Sequence, residues 1–333
     1  MTIKFHAKHK SGFIVDGPFS PFNFPAGEAH IKTTEDYDSF IGNYEYFVAD
    51  VRGTDANDYI MAVMWAQAVR DAGGFSVLMV PYLPGARADR GVPNLQAYTN
   101  LVVDIQADQI IYLDPHSPVW VETFRESDDI ARMTEFPVER VISSRIQKAE
   151  VGFSKYVGVI APDKGAHDRA ARAARKMGVP VYTAGKTRDF ETGKLTGFHM
   201  EDELPTEGRF LIVDDICDGG GTFIGLAQAI GVGKERLDLW VSHGVFSKGV
   251  DSLLDEFGTI YTTNSFDHNL ADRFPSGTES RVKVFDVFPY LSEAIDASPL
   301  VFPDGTLVEV ETPVLPDSGA VESDDEHTIE PSA

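Results

Sequence analysis

Cysteine, positive charge and long apolar runs are all scarce in this chain of 333 residues. A single cysteine, Cys217, excludes an internal disulfide and is typical of a reducing cytoplasm, where we expect the protein to act. No apolar stretch approaches the roughly 20 residues that span a bilayer, so we predict no membrane partner. Residues 1–10 carry charge and histidine but no apolar signal core, which indicates no secretory leader.

Basic residues are outnumbered, because 29 Lys and Arg stand against 52 Asp and Glu and the formal net charge is -23. A nucleic-acid groove needs many cations against the phosphate backbone, so no nucleic-acid partner is predicted. Part of the excess is local, since residues 301–333 include nine acidic residues and no Lys or Arg. We predict that this segment is a disordered acidic tail, which either keeps the protein soluble or binds a partner.

Short apolar runs alternate with helical patterns through the rest of the chain. Continuous apolar runs suit parallel strands covered on both faces. The pattern predicts an α/β fold with two doubly wound parallel-sheet domains, residues 1–150 and 151–300. The predicted strands are 76–80, 110–114, 156–161, 210–214 and 238–242, and the predicted helices are 58–72, 166–177 and 223–230.

The strongest motif follows the strand that begins at Phe210: two carboxylates, a run of three glycines and the start of a helix. Backbone N–H groups of a glycine-rich loop at a helix N-terminus bind phosphate. Adjacent carboxylates accept hydrogen bonds from vicinal hydroxyls or bind a hydrated cation, so the loop predicts a phosphorylated sugar. A plain turn needs no acidic pair, and a Walker A loop would have a lysine after the glycines. The residues concerned are Asp214, Asp215, Asp218, Gly219, Gly220, Gly221 and Thr222.

Charged residues also follow two strands of the N-terminal half, at the strand ends where open parallel sheets bind ligands. Arg87 and Asp89 come after strand 76–80. Arginine suits phosphate contacts and stacking on a base, although a solvated loop has the same composition. His116 follows strand 110–114. A lone histidine is more often structural than a ligand, so the residue pattern leaves both interpretations open.

Two cations, Lys186 and Arg188, follow a strand over 181–183. Beside a phosphate site they could stabilise charge on a transferring group, and without one they would form an exposed basic turn. Residues 186–197 also have the composition of a mobile lid.

The glycine loop resembles the phosphoribosyl pyrophosphate (PRPP) motif of type I phosphoribosyltransferases and of ribose-phosphate pyrophosphokinases. Four further segments resemble the second group, in family order, so the chain is identified as a PRPP synthetase-like protein. They match the N-terminal Phe-x-Asp-Gly-Glu motif, the ATP-binding segment, the Asp-x-His metal segment and the Pro-Asp-x-Gly turn. The segments are Phe24–Glu28, Pro81–Arg90, Leu113–His116 and Ala161–Gly165.

This resemblance implies two phosphoribosyltransferase-like domains with an active site between them. It also implies ATP as a substrate, Mg²⁺ as cofactor, and a homodimer or homohexamer in which the N-terminal segment reaches a neighbour's ATP site. The residues that the resemblance assigns are Phe24, Glu28, Arg87, Asp89 and His116 for ATP, His116 and Asp163 for Mg²⁺, and Lys186 and Arg188 for catalysis.

The implied reaction moves the β,γ-diphosphoryl group of ATP to the anomeric hydroxyl of ribose 5-phosphate, giving PRPP and AMP. A phosphoribosyltransferase remains an alternative, although it needs no segment like Pro81–Arg90. A non-catalytic regulatory homologue or a nucleotide-binding module also remains, although neither requires Lys186 and Arg188.

Several positions near the implied substrates depart from the family pattern. Gly219 stands where threonine is usual, Ala88 replaces glutamine, Ala26 replaces aspartate, and the connection after Arg90 is short. None of these removes an implied metal or catalytic residue. Because Gly219 removes a donor and should leave space, a larger acceptor such as the distal ribose of ADP-ribose stays open beside ribose 5-phosphate.

Overall fold

The computed structural model describes residues 2–33, 41–88, 94–127, 131–149, 156–188 and 195–297, with the backbone alone at 147–149, 186–188 and 195–196. Two large sheets with connecting helices confirm the predicted α/β class. Asp89 and the acidic segment 301–333 lie outside the described residues. No helix in these ranges is long and apolar enough to cross a membrane.

The described part of the N-terminal half forms eight strands and four helices. The strands are β1 (Ile3–His9), β2 (Ile14–Asp16), β3 (Phe19–Asn23), β4 (Ala29–Thr33), β5 (Tyr44–Val51), β6 (Ser76–Met79), β7 (Gln109–Leu113) and β8 (Arg132–Phe136). The helices are α1 (Ala56–Asp71), α2 (Asn94–Val103), α3 (Val119–Ser127) and α4 (Val138–Ala149).

Six of these strands form one sheet in the order β2-β1-β5-β6-β7-β8, and β3 pairs with β4 in a separate hairpin. β5 to β8 run parallel, as predicted, but β1 and β2 add an antiparallel edge. The predicted parallel sheet thus carries an antiparallel edge that the apolar runs did not indicate. The physical reason is that buried and more exposed residues alternate along β1, which suits an antiparallel strand with one covered face.

The C-terminal half continues with seven strands and four helices among its described residues. The strands are β9 (Tyr156–Ala161), β10 (Val181–Arg188), β11 (Leu195–Met200), β12 (Arg209–Cys217), β13 (Leu237–Gly244), β14 (Ile260–Thr263) and β15 (Val282–Phe285). The helices are α5 (His167–Met177), α6 (Gly221–Ile230), α7 (Asp251–Glu256) and α8 (Phe288–Ser292).

These strands form a seven-stranded sheet in the order β11-β10-β9-β12-β13-β14-β15. All neighbouring pairs are parallel except β10 and β11. The strand predicted over 181–183 continues to Arg188 and pairs with β11. The mobile loop expected over 186–197 is therefore wrong for residues 186–188 and 195–197, because these residues pair in two antiparallel strands.

The chain returns to the first sheet after β15. Leu291 of α8 is fully buried in an apolar cluster that also contains Val48 of β5 and Trp240 of β13. Gln109 of β7 then donates through Nε2 to the carbonyl of Ala294 at 2.9 Å. This cluster packs the two halves together and fixes the space between their strand ends.

A buried charged group lies at the end of β5, where it meets the C-terminal half. Arg52 Nη2 donates to Asp50 Oδ2 at 2.7 Å, and Nη1 donates to the carbonyl of Asn264 at 3.0 Å. His268 Nδ1 lies 4.0 Å from Asp50 Oδ2, and its Nε2 has no hydrogen-bond partner among the described residues. Burial, only partly offset by Asp50, lowers the pKa of His268 to about 4.

Acidification should therefore destabilise the protein through His268. The unfolded chain takes up this proton near pH 6.5, but the folded protein does so only near pH 4. The stabilisation is complete above pH 6.5 and is lost as the pH falls towards 4. Urea unfolding at several pH values from 6.5 to 4 measures the fall in the free energy of unfolding. This fall should be smaller by roughly 2–3 kcal/mol in His268→Gln than in the wild type. The control His30→Gln, at an exposed position of β4, should lose as much as the wild type. Equal losses in all three proteins would contradict this role of His268.

Candidate active site

A cleft of about 1120 Å³ lies between the strand ends of the two sheets. The glycine loop and the start of α6 form one wall, and residues that follow β6, β7 and β9 or belong to the β10–β11 hairpin region, such as Gly185 and His199, form the rest. Its lining includes most of the residues predicted from the sequence in the described ranges: Arg87, His116, Asp163, Asp214, Asp215, Asp218, Gly219, Gly220, Gly221 and Thr222.

The glycine loop turns the chain from β12 into α6 with a left-handed residue. Gly220 has φ +78° at the N-cap, and a Cβ there would lie 3.1 Å from the side chain of Leu253, so conformation and space both require glycine. No side chain caps this helix end. The first backbone N–H groups of α6 therefore face the cleft without a side-chain acceptor, as a phosphate site requires.

Asp214 and Asp215 form a carboxylate pair at the end of β12, in which Asp214 is partly buried and Asp215 is buried. Burial and the neighbouring charge of Asp215 raise the pKa of Asp214 well above its usual value. Burial acts in the same direction on Asp215, but the hydrogen bond from His116 and the charge of Arg169 outweigh it and hold the pKa of Asp215 far below the usual value. One carboxylate therefore stays ionised and the other holds a proton more readily, so the pair offers both a hydrogen-bond acceptor and a donor.

Arg169 of α5 lies at the centre of the site, among carboxylates from both halves of the chain. Its Nε donates to Asp114 Oδ1 at 2.7 Å, and its Nη1 lies 3.4 Å from Asp214 Oδ1 and 3.6 Å from Asp215 Oδ1. The residue is 8% exposed. Burial disfavours the cation, but the carboxylates, led by Asp114, still raise the pKa of Arg169 above its usual value.

Asp114 is held on its other side by the end of β13. Ser242 Oγ donates to Asp114 Oδ2, and His243 Nε2 lies 3.1 Å from the Asp114 carbonyl oxygen. Asp114 has φ +41°, a left-handed conformation that aspartate tolerates better than most residues. This backbone turn directs the chain after β7 into the cleft and brings His116 to the carboxylate pair.

Two contacts cross the cleft from the N-terminal half to the glycine loop and to the carboxylate pair that precedes it. Arg87 Nη1 donates to Asp218 Oδ2 at 2.9 Å, and His116 Nδ1 donates to Asp215 Oδ2 at 2.6 Å. Hydrogen bonds from Ser247 and Arg87 lower the pKa of Asp218, so this carboxylate is ionised near neutral pH. Residues predicted separately from three strand ends are therefore in direct contact.

The two predicted metal residues, His116 and Asp163, both line the cleft. Asp163 Oδ1 accepts a hydrogen bond from the Ala166 backbone N–H at 3.1 Å, which fixes the turn after β9. The described residues contain no ready-made cluster of three or more His, Cys, Asp or Glu ligands. Mg²⁺ commonly keeps several waters and takes one or two protein ligands together with substrate phosphates, so the residues present fit this ion.

The other predicted site residues in the described ranges are Lys186, Arg188, Phe24 and Glu28. Lys186 and Arg188 lie on β10, and only their backbone is described. Phe24 and Glu28 form the turn of the β3–β4 hairpin and do not line the cleft of their own chain. Phe24 is 47% exposed and its ring lies 5.0 Å from that of Phe22.

Sequence reasoning missed Arg169, although the pattern of α5 contains a signal for it. The buried positions of this helix are Ala170, Ala173, Ala174 and Met177, and Arg169 lies on the same stripe. An arginine in an otherwise apolar stripe indicates a buried anionic partner. Nothing in the local sequence identified that partner as Asp114, which is 55 residues earlier in the chain.

Known proteins similar to this chain are found both by sequence and by structure. No protein-family model matches the chain. The ribose-phosphate pyrophosphokinase of Maricaulis maris is 24% identical over 287 residues, which cover 82% of this chain and 86% of the relative. The ribose-phosphate pyrophosphokinase of Sulfurisphaera tokodaii is 27% identical over 283 residues, which cover 82% of this chain and 89% of the relative.

The solved structure of phosphoribosylpyrophosphate synthetase from Mycobacterium smegmatis matches with a TM-score of 0.62 at 19% identity, covering 84% of this chain and 89% of that one. The fold is thus similar to that of this phosphoribosylpyrophosphate synthetase. The chain is related to the ribose-phosphate pyrophosphokinases over most of its length, which confirms the resemblance drawn from the motifs.

The cation at the centre of the site should be essential for stability. Replacing Arg169 with methionine leaves Asp114, Asp214 and Asp215 without their shared cation, and we expect the free energy of unfolding to fall by about 3–5 kcal/mol. Urea unfolding at neutral pH measures this loss. The matched variant Arg175→Met, at an exposed position of the same helix, should change stability by no more than about 0.5 kcal/mol. Similar values for the two variants would show that Arg169 does not hold the carboxylates together.

Proposed function

We propose that this chain is a magnesium-dependent pyrophosphokinase. It transfers the β,γ-diphosphoryl group of ATP to the anomeric hydroxyl of ribose 5-phosphate, or of a larger 5-phosphoribosyl compound such as ADP-ribose. The anomeric oxygen attacks the β-phosphorus, the bond from this phosphorus to the α,β-bridging oxygen breaks, AMP leaves, and the hydroxyl proton passes to solvent. The relatives named ribose-phosphate pyrophosphokinases support this reaction.

The observation that carries the proposal is the pair of contacts across the cleft. Arg87 reaches Asp218 and His116 reaches Asp215, so residues expected to bind a nucleotide touch the loop expected to bind a sugar phosphate. A reaction between the two substrates requires such proximity, because alignment of the reacting groups supplies much of the rate. A phosphoribosyltransferase would need the loop but not the N-terminal partners.

The sugar would bind at the end of β12. Its phosphate would lie at Gly219 to Thr222, where the first N–H groups of α6 face the cleft. Asp214 and Asp215 would hydrogen-bond the ring hydroxyls, and the two different pKa shifts give them complementary donor and acceptor roles. This orientation would present the anomeric hydroxyl to the nucleotide side of the cleft.

ATP would bind on the N-terminal side, with Arg87, Asp89 and His116. Phe24 and Glu28 would come from a neighbouring subunit of a homodimer or homohexamer, since they lie away from the cleft of their own chain. The exposed ring of Phe24 suits stacking on adenine. The setting would be the cytoplasm.

Mg²⁺ would be held by Asp163 and His116 and would supply positive charge beside the phosphates of ATP. Lys186 and Arg188, on the β10–β11 hairpin, would stabilise the charge that develops on the transferring group. No covalent intermediate is needed. Cys217 is unsuited to one, since it is buried and its pKa is raised to about 12 by burial and the nearby carboxylates.

The reaction is tested by incubating the protein with ATP, Mg²⁺ and ribose 5-phosphate and measuring AMP. We expect AMP to form only when an acceptor sugar is present, and chelation of Mg²⁺ to abolish it. Binding of ribose 5-phosphate without AMP would indicate a regulatory homologue. Consumption of PRPP with a purine or pyrimidine base would indicate a phosphoribosyltransferase instead.

Lys186→Ala should lower kcat far more than it raises KM, because its contact should form fully only in the transition state. A loss of about 2–4 kcal/mol in transition-state stabilisation is typical of removing one such group. Steady-state kinetics with both substrates varied measures the effect, with the exposed Lys234→Ala as control. An effect on KM alone would make Lys186 a binding residue.

A further inference from the structure

Lys248 lies beside the glycine loop, in the segment that follows β13. A Cβ atom at Gly219 would lie 3.3 Å from Lys248 Cδ, 3.4 Å from Cε and 3.7 Å from Cγ. The methylene groups of Lys248 therefore run along the open face of Gly219. Its Nζ is one bond of about 1.5 Å beyond Cε, so it lies within about 5 Å of the same point.

The backbone on either side of Lys248 is fixed to the loop. The N–H groups of Val245 and Phe246 donate to the Cys217 carbonyl at 2.9 and 3.0 Å, and the N–H of Ser247 donates to the Asp218 carbonyl at 3.1 Å. Gly249, with φ +75°, then turns the chain away. These hydrogen bonds therefore hold the backbone of Lys248 next to Gly219, independently of the rotamer of the lysine side chain.

The charge of Lys248 helps to lower the pKa of the nearby Asp218, but the two side chains form no ion pair. No described residue hydrogen-bonds or forms an ion pair with its Nζ, and Asp218, the adjacent carboxylate, is paired with Arg87. The side chain is exposed at the edge of the cleft. A cation in this position remains available to an anion bound by the loop.

We propose that Lys248 binds the phosphate of the acceptor sugar and selects a terminal phosphomonoester, as in ribose 5-phosphate, over a diphosphate-linked ribose, as in ADP-ribose. This inference rests on the proposed function of the same cleft and names its acceptor class. A terminal phosphate carries nearly two negative charges at neutral pH, whereas a phosphate within a diphosphate linkage carries one. Attraction to one cation grows with that charge, and lysine acts on phosphate as a point charge.

The packing of Lys248 also removes the reason to expect a larger acceptor. The space expected beside Gly219 is occupied by the lysine methylenes, at distances close to contact. A second phosphoryl group on that side would have to displace them. Charge and shape therefore favour the same class of acceptor.

Calorimetric titration of the full chain with ribose 5-phosphate and with ADP-ribose tests the selection directly. The wild type should bind ribose 5-phosphate at least about tenfold more tightly than ADP-ribose. Lys248→Gln keeps much of the packing but removes the charge, so it should weaken ribose 5-phosphate binding about tenfold and ADP-ribose binding less than about threefold. Lys248→Arg should keep most of the affinity. Lys234→Gln removes an exposed lysine elsewhere in the same half and should change neither.

The proposal is overturned if Lys248→Gln binds ribose 5-phosphate as tightly as Lys234→Gln does, or if the wild type prefers ADP-ribose. These outcomes are separate from the fate of the transfer reaction. AMP formation with no effect of Lys248 on binding would leave the transfer standing and remove Lys248 from the phosphate site. The expected binding pattern without AMP formation would keep Lys248 in its role and contradict the transfer.

Discussion

One guanidinium group lies among three carboxylates that come from both halves of the chain. Arg169 donates to Asp114 at 2.7 Å and lies within 3.6 Å of Asp214 and Asp215. Without this cation the three carboxylates, two of them buried and one partly buried, would repel one another, and the cleft would open. Because Arg169 offsets that charge, the chain after β7 and the end of β12 meet in one place. The carboxylate pair and His116 depend on this meeting for their positions.

Around Arg169, negative groups lie deep in the cleft and positive groups lie at its edge. The carboxylates Asp214 and Asp215 lie deeper in the cleft, where the proposal places the sugar hydroxyls, whereas Arg87 and Lys248 lie at the more exposed edge beside Asp218. A chain with a net charge of -23 would repel polyphosphates in general. Local cations at the cleft edge therefore matter more here than they would in a basic protein.

Much of the fold was predictable because its signals are local. The apolar runs predicted β6, β7, β9, β12 and β13, and the glycine loop predicted the strand-to-helix turn at residues 218–222. The antiparallel edge of β1, the β10–β11 hairpin and the pairing of Arg169 with Asp114 were not predictable in this way, because each depends on partners distant in the sequence. Lys248 was missed for the same reason. Its position follows from backbone hydrogen bonds to β12 and the glycine loop rather than from any motif.

In the proposed reaction the sugar hydroxyl attacks the β-phosphorus of ATP in a single transfer. This attack is tested with ATP that carries a heavy-oxygen label in the α,β-bridge, with the products of reaction with ribose 5-phosphate identified by mass spectrometry. We expect the label to stay with AMP and the sugar to carry an unlabelled diphosphate. Label found in the sugar diphosphate, or in ADP as the nucleotide product, would contradict the proposed attack.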